Sequence, residues 1–132
     1  MKQHLGAVAL LVRDYDEAIA FYTQRLRFQV VADTVLSPTK RWVVLSPPGA
    51  TETHLLLAQA DGSEQASSIG RQAGGRVFLF LHTDDFWRDY HAMQAQGVVF
   101  DEEPRREPYG TVAVFQDLYG NKWDLLEPAH TN

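Results

Sequence analysis

The chain contains no cysteine. Disulfides, thiol nucleophiles and thiolate metal sites are therefore excluded, and a reducing cytoplasm is permitted. A basic stripe is also missing, and the formal net charge is -5 over 132 residues, so nucleic acid is not an expected partner. No apolar run is long enough to span a membrane, and the first one is interrupted by Arg13 and Asp14. The N-terminus carries no signal-peptide cleavage pattern, which makes a cytoplasmic location the expectation. There is no nucleophile-elbow glycine pattern, no phosphate-cradling loop and no dinucleotide fingerprint. Covalent hydrolase and nucleotide chemistry have no support.

What is present is ordinary for a globular protein, 45% hydrophobic and 22% charged. The length suits a single domain over residues 1–132 with a core of its own. Residues 5–12 read as a buried strand. Asp14 with Glu17 three residues on looks like a capping box opening a helix, with Tyr15, Ile19, Tyr22 and Leu26 as its buried stripe. Strands follow at 28–36, 41–46 and 53–58. The stretch 59–75, rich in Ser, Gln, Ala and Gly, reads as a linker with a short helical turn near 64–69.

The order then repeats. A strand at 76–83 leads to a helix begun by Asp84 and Asp85, with Phe86, Tyr90 and Met93 buried and Gly97 at its end. Strands are expected at 98–101, 110–116 and 122–127, and the charged run 102–108 as a solvated loop whose charges balance. Gly120 and Asn121 suit a two-residue hairpin turn. Sliding one half over the other by about 71 residues puts Val8 on Leu79, Leu10 on Leu81, Asp14 on Asp85, Tyr15 on Phe86 and Phe28 on Val99. The fold class is α+β: two βαβββ modules, at about 5–58 and 76–128, forming a cupped mixed sheet with helices on its convex side.

The candidate site residues follow from strand alternation. Asp124 is a carboxylate inside an apolar terminal strand, sharing a face with Leu126. His54 lies on an apolar strand and His82 at the end of another. Trp42, Phe78, Phe80 and Tyr109 are aromatic residues that can line a pocket or stack on a flat ligand, or simply fill the core. Arg105 and Arg106 can hold an anion at its rim, or lie solvated in their loop.

The segments LLVRDYDEAIAFYTQRLRFQVV, LFLHTDDFWRDYHAMQAQGVVF and FQDLYGNKWDLLEP resemble the vicinal oxygen chelate superfamily, the group of glyoxalase, bleomycin-resistance proteins and extradiol dioxygenases. The resemblance runs from about residue 6 to about residue 128 through a VRD-x-x-x-x-x-x-FY opening and a D-x-x-G-x-x-x-D/E-L ending. It implies a small-molecule pocket protein and an edge-to-edge homodimer. It also implies four metal-ligand positions. Two of these are Ala7 and Phe78, which cannot coordinate; Asp124 and His54 are the candidates at the others, His54 being aligned with Asp124 if no gap intervenes. The metal site is thus incomplete, and a divalent metal is possible rather than expected. As an enzyme, the chain would be lyase- or isomerase-like, or dioxygenase-type, with Asp124 as base or ligand and His54 as its partner. The alternative is a metal-free drug- or metabolite-binding protein that sequesters without catalysis. A third reading is a dimer whose cup is filled by its own side chains.

Overall fold

The computed structural model describes residues 1–130. The chain forms two compact units, Met1–Ile69 and Gly70–Asn132. In the first, β1 (Ala7–Val12), α1 (Tyr15–Gln24), β2 (Gln29–Ser37), β3 (Lys40–Ser46), β4 (His54–Gln59) and α2 (Gly62–Ser68) follow in order. Its four-stranded sheet has the order β1-β4-β3-β2. β1 lies parallel to β4, and the other pairs are antiparallel.

The second unit comprises β5 (Val77–His82), α3 (Phe86–Ala95), β6 (Arg105–Glu107), β7 (Gly110–Gln116) and β8 (Lys122–Pro128). Its order, β5-β8-β7-β6, repeats the first topology, again with one parallel pair. The expected α+β class and the two βαβββ modules are therefore present. α2 is an addition to the motif: where a linker with a helical turn near 64–69 was expected, a seven-residue helix starts at Gly62 and packs on β1.

The local causes are the same in both units. Asp14 caps α1 by accepting the Glu17 N–H at 2.9 Å, and Asp85 caps α3 by accepting the Arg88 N–H at 3.1 Å. Such caps satisfy backbone donors that the first helical turn leaves open. α1 buries Tyr15 and Tyr22 of the predicted stripe, adds Ala18 and Phe21, and leaves Ile19 half-buried, while Leu26 is buried just beyond its end. α3 buries Phe86, Tyr90 and Met93 as its spacing predicts. Both helices end on a left-handed residue, Arg27 (φ 63°) and Gly97 (φ 83°), followed by buried Phe28 and Val98. The sequence overlay put Phe28 on Val99, but Val99 is 60% exposed. The second helix returns one residue sooner: the Phe28 N–H reaches the Tyr22 carbonyl, the Val98 N–H the Met93 carbonyl.

Two more expectations change. In place of a strand over 98–101, Phe100 makes an isolated bridge to Phe115, and the short strand β6 falls inside the predicted loop. The Glu102 carboxylate takes the Val114 N–H at 3.1 Å, bridging the gap between that bridge and β6. The turn before β8 is also larger than two residues. Asp117 Oδ1 accepts the N–H groups of Tyr119 and Asn121, and Oδ2 accepts the Asn121 amide, each at 2.9 Å. Only Gly120 there has positive φ (95°).

Candidate functional site

The two faces of the second sheet differ. Trp123 stacks on Phe115, Phe115 meets Phe100, and Phe100 meets Tyr90 of α3, so this row is the helix-side core. Alternation then turns Asp124 to the opposite face. Its register partners are Phe80 on β5 and Val114 on β7, and one step along the row Leu126 pairs with His82 and Val112.

Asp124 is 7% exposed, and its Oδ1 is buried with no hydrogen-bond partner. Burial raises its pKa above the ordinary carboxylate value; the positive charge of Arg105 opposes this and the negative charge of Glu102 adds to it. Phe80 beside it is 61% exposed.

Arg105 begins β6 and is held on several sides. Its Nε donates to both oxygens of Glu102 at 3.2 Å, and its Nη1 to Glu107 at 2.6 Å and to the Tyr109 hydroxyl at 3.1 Å. Those three partners hold its guanidinium protonated well above neutral pH. Lys122, on the same strand face as Asp124, has its Nζ 3.8 Å from Asp101. The second unit therefore brings together Asp124, Phe80, Arg105 and Glu102, with Glu107 and Tyr109 around the guanidinium. Tyr109 was expected as a stacking residue, and its 51% exposed ring also anchors Arg105. The role of Glu102 and Glu107 was missed. The signal was there: Arg105 and Glu107 are two apart and share a face on any strand.

Phe78 falls in the register shift between Val77 and Leu79, so alternation does not assign its face. His82 is exposed at the end of β5. In the first unit, His54 opens β4 opposite Ala7, half-buried, with Nδ1 buried and unpartnered. Trp42 on β3 is 48% exposed. The strand pairings revise one alignment. Ala9 pairs with Leu56 as Phe80 pairs with Asp124, and Leu10 pairs with Leu57 as Leu81 pairs with Leu125. The counterpart of Asp124 in the first unit is thus Leu56; His54 matches Lys122. Among the described residues of either unit, no three His, Asp or Glu side chains gather as a metal-holding set. Among them, too, no helix is long and apolar enough to cross a membrane.

A family model described as the Glyoxalase/Bleomycin resistance protein/Dioxygenase superfamily matches residues 4–125. An uncharacterized protein of Shewanella frigidimarina is 59% identical over 128 residues, covering 96% of this chain and 95% of the relative. The crystal structure of UcmS2 is similar with a TM-score of 0.84 and 31% identity, over 96% of this chain and 99% of that one. TnmS3, an antibiotic binding protein from Streptomyces sp. CB03234, matches with a TM-score of 0.80 and 30% identity, over 97% and 98% of the two chains.

Proposed function

The chain belongs to the Glyoxalase/Bleomycin resistance protein/Dioxygenase superfamily, and we propose that it binds an aromatic drug or metabolite and holds it without transforming it. The observation that carries this reading is Asp124. A buried carboxyl group with an unpartnered oxygen, beside an exposed phenylalanine, offers a directed polar contact next to an apolar ring, and small-molecule sites combine a few placed polar groups with apolar and aromatic ones. A metal-assisted reaction needs several ligands, and among the described residues Asp124 has no His, Asp or Glu pair gathered with it as a ligand set. Similarity to an antibiotic binding protein supports the same reading.

A second reading keeps catalysis. A carboxyl group whose pKa is raised by burial is suited to act as a general base, and lyase- or isomerase-like proton transfer would use Asp124. Homodimerisation in the cytoplasm belongs to both readings. Val30, Val31, Val35 and Leu36 are exposed along the edge strand β2, which supports pairing with a second chain. Sedimentation velocity tests the dimer.

The functional test is a titration of planar aromatic antibiotics, read by the quenching of the three tryptophans, on the parent and on Phe80→Ala. Saturable quenching weakened by the substitution supports binding. Recovery of a chemically altered compound after incubation would favour the enzyme.

A further inference from the structure

The cations around Asp124 are already engaged. Arg105 is shared between Glu102, Glu107 and Tyr109. Lys122 lies against Asp101, whose other oxygen accepts the Gln116 amide at 2.6 Å. Arg106 alternates away from Arg105 on β6 and pairs with Thr111. Among the described residues, His82, at the end of β5, is a further titratable side chain on this face. Two carboxylates, Glu102 and Glu107, thus bond a single guanidinium whose charge also acts on Asp124, and Asp124 Oδ1 is buried and unpartnered.

An anionic ligand arriving here would lie near three carboxyl groups that share the charge of one guanidinium, two of which already bond it. Like charges placed together and stripped of water are unfavourable. A hydroxyl or amine does not meet this obstacle, and it supplies the donor that Oδ1 lacks.

Building on the binding reading above, we infer that Asp124 and the Glu102–Arg105–Glu107 cluster select the ligand by its polar group: an aromatic molecule with a hydrogen-bond donor at its Asp124 end is accepted, and one with an anionic group there is refused. Arg105 is a positioning residue in this scheme. It holds Glu102 and Glu107 in place through Nε and Nη1, and their two charges outweigh its one. The anion-binding role that the sequence suggested for Arg105 is replaced by anion exclusion.

The experiment uses the full chain and three probes that share one ring system: 1-naphthalenemethanol, 1-naphthylmethylamine and 1-naphthoate. Calorimetry is run near pH 8, where an unperturbed imidazole is uncharged. The alcohol and the amine should bind at least about tenfold more tightly than the carboxylate. In Glu107→Gln, Arg105 loses one of its carboxylates, and the gap should narrow because 1-naphthoate gains. Glu102→Gln removes the other carboxylate from Arg105 and provides the same test, should the first variant fail to fold. Equal or tighter binding of 1-naphthoate to the parent overturns the selection while leaving the binding reading intact. A gap unchanged in whichever variant folds overturns the part assigned to Arg105. Binding of none of the three up to millimolar concentration overturns the binding reading, and this inference with it.

Discussion

Phe80 and Asp124 are register partners on parallel strands, yet Phe80 is 61% exposed and Asp124 7%. A large apolar ring left in water beside a carboxyl group withdrawn from it is the reverse of the usual arrangement. Phe80→Ala removes surface that contributes little to the fold, because most of the ring is already solvated. The expected outcome is a ligand affinity reduced by about tenfold or more with stability changed by less than about 0.5 kcal/mol. A thermal melt beside a binding titration checks both, and a large loss of stability would assign Phe80 to the core.

Asp124 should leave a signature in the pH dependence of stability. Burial raises its folded-state pKa above that of the unfolded chain. Between those values the folded protein keeps a proton that the unfolded chain has released. The contribution of this group is therefore fully present below the unfolded pKa and is lost as pH rises through the folded one. Asp124→Asn has no such proton and should flatten that decline. Urea unfolding from about pH 4 to about pH 8 on both proteins checks it; parallel curves would remove the buried-carboxyl account.

Asp14 and Asp85 cap equivalent helices with equivalent bonds. Asp14→Ala and Asp85→Ala should each cost about 1 kcal/mol. Denaturant melts of the two single variants are the measurement, and a cost confined to one of them would show that the units do not share the device.

Arg27 holds the left-handed position that Gly97 fills in the second unit. Arg27→Gly relieves the backbone strain there, although it loosens the unfolded chain. The net expectation is a gain of up to about 1 kcal/mol. Gly97→Ala should lose a comparable amount, and the opposite signs are what equilibrium unfolding must reproduce.

With no three potential ligands gathered in either unit among the described residues, purified protein should carry no stoichiometric divalent ion. Elemental analysis checks this. One zinc, nickel, manganese or iron per chain, lost in Asp124→Ala, would reinstate a metal site.

Much of the fold was legible because it rests on local rules. Asp14, Asp85 and Gly97 mark helix ends by what their own side chains, or the lack of one, do to the nearby backbone. The stripe Phe86, Tyr90 and Met93 follows from helical period alone. The internal repeat was readable for the same reason, since each half needs the same caps and the same buried positions. Where the chain returned one residue earlier, at Val98, the overlay slipped, because the length of a helix exit is decided by which carbonyl the next N–H reaches. Asp124 stood out in the sequence as a charge among apolar neighbours, and alternation turned it from the helix. Its isolation did not: that Oδ1 has no partner while Arg105 has three depends on β6, β7 and β8 lying side by side. The likeness of His54 to Asp124 was also undone by pairing, which set Leu56 in that place. Spacing along the chain determines which face a residue takes. Only the register between strands distant in sequence decides which residue it meets there, because hydrogen bonds between strands, and not neighbours along the chain, set that distance.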